Sequence, residues 1–249
     1  MAAKIKPTFL PSVFTSGNLF CGMYAITEAM RGNSYRGAWF VILAALFDVT
    51  DGFVARLTGQ ASRFGVEFDS LSDVISFVLA PMILIYPMCF RQYHVFGSVM
   101  AFAFVVTGTI RLARFNVEVK SLTVKRDFHG LPTPAAGCLV AAYLIFSKYI
   151  AGDVLWPAFV PPAVVLIALL MVSSIEYPTF PKIASRSIDS YAAYGIMVLA
   201  VIGLAVRPQL AIFPALFAYL LLGLVSWGAH GIRKILRSKD KRRDKGAES

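Results

Sequence analysis

Charge is scarce in this 249-residue chain: Asp, Glu, Lys and Arg supply 15% of it, against about 25% in a soluble domain. Cysteine is scarce as well. Cys21, Cys89 and Cys138 each lie in or beside an apolar run, with no CxxC and no Cys/His ligand spacing. That pattern argues against a disulfide framework or a zinc site, and points to buried or lipid-facing thiols. The phosphate loop GxxxxGK[ST], the GxSxG elbow, the GxGxxG fingerprint and the HExxH pair are all missing. No small-residue cleavage site follows a short apolar core near the start, so no cleavable signal peptide is expected. What the chain has instead is apolar length. Hydrophobic residues make up 57% of it, and the mean hydropathy is +0.68. This is the composition of an integral membrane protein.

Eight apolar spans are expected, roughly 13–30, 37–56, 71–90, 94–113, 133–150, 156–173, 190–206 and 209–228. Each is near the roughly 20 residues that cross a bilayer as a helix. The expected organisation is a lead at 1–12, an all-α membrane domain at 13–228 and a basic tail at 229–249. With both termini on one side, that side holds Lys4, Lys6, Arg56, Arg63, Arg111, Arg114, Lys120, Lys125, Arg126, Lys182, Arg186 and eight more in the tail, 19 of the 24 Lys+Arg. The other side keeps Arg31, Arg36, Arg91, Lys148 and Arg207. The positive-inside rule then puts both termini in the cytoplasm. The tail is expected to stay solvated and to bind anionic headgroups weakly, not nucleic acid.

One polar stretch interrupts the apolar runs. Residues 48–73 read DVTDGFVARLTGQASRFGVEFDSLSD and hold four of the nine aspartates. Asp48 and Asp51 are i, i+3; Asp69 and Asp73 are i, i+4; both are one-face spacings on a helix. Four carboxylates at the facing ends of two helices repel one another unless cations sit among them. Hard divalent ions with oxygen ligands are the natural neutraliser. Gly52, Ala55, Gly59, Ala61 and Gly65 make the middle of the stretch small, so that helices or a flat ligand can approach the backbone. Arg56 is placed to meet a phosphate, or else snorkels at a membrane end.

Other polar groups fall at the same level. Thr15 and Asn18 open span one as helix caps or as ligand contacts. Arg111 and Arg114, on one face at the end of span four, suit phosphate or carboxylate recognition. Asn116 follows them. A polar loop, Val117–Thr133, brings Asp127 and His129. His94 belongs to the opposite interface, and spans five to eight carry no catalytic constellation. Together these residues suggest phosphoryl-group chemistry: two carboxylate-held divalent ions on a diphosphate, and a remaining carboxylate as general base toward a hydroxyl. Asp73, one turn deeper than Asp69, is the candidate base. The membrane setting makes one substrate a lipid. An ion-coupled transporter is the alternative from another class, but its site would lie near the midplane rather than at the span ends.

Asp48-x-x-Asp51-Gly52-x-x-Ala55-Arg56, then Gly65-x-x-x-Asp69-x-x-x-Asp73, resembles the full signature of the CDP-alcohol phosphotransferase family. The resemblance implies a six-helix membrane core, here with two added C-terminal spans, and a homodimer. It implies displacement of CMP from a CDP-linked lipid by an alcohol. It implies Asp48, Asp51 and Asp69 as ligands of Mg²⁺ or Mn²⁺, two ions in all, with Asp73 as base and further ligand. Gly52, Ala55, Arg56 and Gly65, with Thr15 and Asn18, would form the nucleotide side. Arg111-Leu-Ala-Arg114-Phe-Asn116, Phe128-His-Gly130-Leu-Pro132-Thr-Pro134 and the opening Leu10-Pro11…Thr15…Asn18-Leu19 are similar to the phosphatidylserine synthase branch. That branch implies CDP-diacylglycerol and L-serine as substrates, with Arg111, Arg114, Asn116 and Asp127 around the acceptor. Choline, glycerol phosphate and inositol phosphate are the alternative alcohols.

Overall fold

The computed structural model describes residues 9–58, 63–120, 130–173, 175, 206–225 and 227; the side chains of 9–12, 55, 56, 58 and 118–120 fall outside that description. The described residues are mostly helical: α1 Phe9–Met30, α2 Ser34–Thr58, α3 Arg63–Asp73, α4 Ala80–Cys89, α5 His94–Lys120, α6 Thr133–Ala151 and α7 Val160–Val172, then α8 Pro208–Val225. Among the described residues, five stretches are long and apolar enough to cross a membrane: Ser34–Val54, Arg63–Cys89, Arg91–Val117, Thr133–Ala151 and Pro208–Val225. The chain is an all-α, multi-pass membrane protein. The expected span 190–206 lies outside the described residues except for Val206.

α1 and α2 form an antiparallel hairpin closed by Gly32, whose φ of +80° is the left-handed conformation glycine adopts freely. α2 packs on α6, and α5 on α7. The core is a continuous set of small and aliphatic side chains, among them Ala25, Ala38, Val41, Ala44, Leu84 and Leu144. All three cysteines are free and buried.

α3 and α4 are one continuous rod of 27 residues, joined through a π turn at Val74–Leu79. Its cause is local. Pro81 has no N–H for the carbonyl of Phe77 four residues earlier, and its ring would collide with that carbonyl. The helix widens instead, and Ala80 N–H reaches back to Ile75 O. Neighbouring helices press close to this turn. A Cβ on Gly137 of α6 would lie 2.3 Å from Phe77 O, and one on Gly22 of α1 would lie 2.4 Å from Ser76 Oγ. Any larger residue at either place would push a helix off the turn.

Candidate metal and active site

The aspartates meet where α1, α2 and α3 come together. Carboxylate oxygens of Asp48, Asp51 and Asp69 all lie within 4.8 Å of one another. The i, i+3 pair on α2 and the first of the i, i+4 pair on α3 thus form one cluster, as their one-face spacings lead one to expect. Asp69 Oδ1 is buried and has no hydrogen-bond partner among the described residues. No Lys or Arg pairs with these carboxylates among the described residues. A buried carboxylate oxygen without a partner, beside two further carboxylates, is costly alone. As an all-oxygen donor set they fit one hard divalent cation.

Asp73 lies one turn deeper and is 5% exposed. It is not part of the three-carboxylate group. Its Oδ1 accepts a hydrogen bond of 2.9 Å from Asn18 Nδ2. Thr15 Oγ1 donates to Asp51 Oδ2 at 2.9 Å. Thr15 and Asn18, i and i+3 on α1, therefore reach the acids of α2 and α3 from one helix face. Sequence reasoning had them on the nucleotide side; the structure brings them to the carboxylates.

Gly52 is exposed, with nothing within 4 Å of where a Cβ would stand. Gly65 is half-buried near the start of α3. Ala55 and Arg56 lie on α2, their side chains outside the described set.

Arg111 leaves α5 toward α6. Its Nη1 donates to Thr133 Oγ1 at 3.0 Å, and its buried Nε has no partner among the described residues. It lies within electrostatic reach of Asp73 and of Tyr219 on α8. The Gly130–Leu131 backbone sets this up: Gly130 N–H donates to Ile175 O at 2.8 Å and Leu131 N–H to Leu170 O at 3.1 Å. These bonds dock the start of α6 on the end of α7 and bring Thr133 under Arg111. Arg114 is exposed. Asn116 is buried and used at both ends: Nδ2 donates to Glu67 Oε2 at 3.2 Å, and Oδ1 accepts from Ser70 Oγ at 3.0 Å. It ties α5 to α3. Asp127 and His129 lie outside the described residues.

Thr133, Ser76 and the Glu67–Ser70 pair were missed from sequence. Only their polarity within apolar or acidic runs could have drawn attention to them.

A family profile for CDP-alcohol phosphatidyltransferases matches residues 8–176. The chain is 36% identical over 230 residues to the CDP-diacylglycerol–serine O-phosphatidyltransferase of Helicobacter pylori, covering 90% of this chain and 93% of that protein. To the protein of the same description from Methanocaldococcus jannaschii it is 33% identical over 211 residues, 84% of this chain and 90% of the other. An archaetidylserine synthase of Methanothermobacter thermautotrophicus is 36% identical over 173 residues, 68% of this chain and 69% of its own length. With the signature aspartates gathered at one membrane-helix junction and the profile covering most of the chain, this protein belongs to the CDP-alcohol phosphatidyltransferase family.

Proposed function

We propose that the protein transfers the phosphatidyl group of CDP-diacylglycerol to L-serine, giving phosphatidylserine and CMP. The observation that carries the reading is the Asp48–Asp51–Asp69 cluster with the Asp69 oxygen that has no hydrogen-bond partner among the described residues. Serine is the acceptor named for the Helicobacter and Methanocaldococcus enzymes. Asp48, Asp51 and Asp69 would hold a divalent ion, Mg²⁺ or Mn²⁺. Such an ion supplies charge neutralisation on the diphosphate of the CDP-lipid; two ions, with Asp73 completing the second set, are part of the proposal.

The protein's own residues do the rest. Asp73 takes the proton of the serine hydroxyl as its oxygen bonds to the phosphatidyl phosphorus. The bond from that phosphorus to the bridging oxygen breaks, and CMP leaves with the electron pair. Arg111, held by Thr133, receives the serine carboxylate through its free Nε. The charge-assisted pairing would select an acceptor that carries an anionic group, such as the serine carboxylate, over choline. Gly52, open to solvent, would let the nucleotide lie against α2. Arg56, Ala55 and Gly65 belong to that nucleotide side, while Arg114 and Asp127 border the acceptor. The reading extends to eight spans within residues 13–228, a homodimer, and an active site that faces the cytoplasm with both termini.

The test is CMP release from CDP-diacylglycerol by the purified protein with Mn²⁺ and a panel of alcohols. Release with serine supports the reading. Release only with glycerol phosphate, inositol phosphate or choline replaces serine; no release with any alcohol rejects the reaction.

A further inference from the structure

We propose that Asn18 is a positioning residue for Asp73, braced by Ser76, and not a nucleotide contact. The inference rests on Asp73 as the proposed base. Asn18 is wholly buried. The donor end of its amide is on Asp73 Oδ1 at 2.9 Å. Its backbone carbonyl accepts from Ser76 Oγ at 3.0 Å. Ser76 is itself wholly buried and belongs to the π turn that starts directly after Asp73. The result is a closed loop of contacts: Asp73 to Asn18 through the amide, Asn18 to Ser76 through the main chain, and Ser76 back to Asp73 along the helix. Gly22, one turn beyond Asn18 on the same face, lets α1 come close enough for the loop to close.

The loop fixes which oxygen of Asp73 works. With Oδ1 held by an amide proton, Oδ2 is left to meet the acceptor hydroxyl. A carboxylate free to rotate would share its time between orientations, and small misplacements of a reacting group are expensive in rate.

Comparison with Asn116 separates this role from a simple tie between helices. Asn116 is also buried between two helices, and both ends of its amide are occupied. Asn18 uses its donor end alone. Its buried Oδ1 has no partner among the described residues. A buried acceptor left open is a cost that a tie would not carry. It is tolerated here because the orientation that puts Nδ2 on Asp73 leaves Oδ1 facing away.

The experiment compares wild type, Asn18→Ala, Ser76→Ala and Asp73→Asn in detergent. Readouts are kcat and KM for CDP-diacylglycerol, CMP binding by calorimetry with Mn²⁺, and thermal melting. Asn18→Ala is expected to lower kcat on the order of 10²-fold, with KM for CDP-diacylglycerol and CMP affinity unchanged. Ser76→Ala lowers kcat in the same pattern but less. Weakened CMP binding with kcat retained would overturn the proposal in favour of nucleotide contact. Loss of kcat only in step with loss of melting temperature would reduce Asn18 to a structural role. Should Asn18→Ala fail to fold, the kcat–KM split in Ser76→Ala decides. Turnover retained by Asp73→Asn rejects the base assignment itself. An inactive Asp73→Asn beside a fully active Asn18→Ala rejects only the positioning role. If serine is not the acceptor, the same comparison is run with the alcohol that is.

Discussion

The two ends of this helical bundle treat their acids differently. At the end where α1 finishes and α2 begins, Glu28 is almost fully buried and bridged by Arg31 at 3.0 Å and Arg36 at 3.8 Å. Nearby, Asp153 accepts the Tyr35 hydroxyl at 2.8 Å and the Val154 N–H at 2.7 Å, while Lys148 lies 4.8 Å from the centre of the Tyr35 ring. Each acid there is neutralised or hydrogen-bonded from within the chain. At the opposite end, Asp48, Asp51 and Asp69 crowd together with no ion pair among the described residues. A fold able to pair Glu28 with two arginines could do the same for the aspartates. Left without an ion pair among the described residues, their charge is available to a cation.

The comparison breaks most readily at the aspartate end. Chelation of divalent ions should abolish CMP release, with recovery on adding Mn²⁺. Asp69→Asn should lower turnover on the order of 10³-fold with melting in detergent little changed; retained turnover would remove Asp69 from the ligand set. Next in size is Arg111→Ala, which should raise the KM for serine by roughly tenfold to a hundredfold, the scale of a charge-assisted hydrogen bond. An unchanged serine KM would take Arg111 out of the acceptor site.

At the far end the expected effects fall on stability. Glu28→Gln should lower the melting temperature and leave kcat and KM alone; a loss of turnover in the folded variant would mean that both ends serve the reaction. The smallest effect belongs to Tyr35→Phe. The Tyr35 hydroxyl and then the Val154 N–H hold the Asp153 carboxyl below the usual carboxylate range. A depressed acid stabilises the fold above its unfolded-state value and loses that contribution as pH falls through the folded-state value. Melting of Tyr35→Phe should therefore fall below wild type at neutral pH, and the gap should close as pH drops below about 4.

These two ends were unequally legible in the sequence. The aspartates could be read because two helical spacings put four acids beside apolar runs, and helix geometry did the rest. The helical membrane class followed from composition. The partners of Asn18 and Arg111 could not be read. They come from elements 55 and 22 residues away, and only packing decides which helix faces which. Asn116 looked like a ligand from its place beside two arginines; its amide is taken by Glu67 and Ser70.

The π turn after Asp73 has a consequence for helical phase. A widened turn is equivalent to one residue added to an α-helix, about 100° of rotation about the axis. α3 and α4 nonetheless share neighbours: Asp73 of α3 meets Asn18 of α1, and Leu84 of α4 packs against Gly37 of α2. The offset changes which residues of the rod face them, since without it those after the turn would be rotated by that amount relative to Asp69 and Asp73. Pro81 thus sets the phase between the acids and the apolar residues that follow them on one rod.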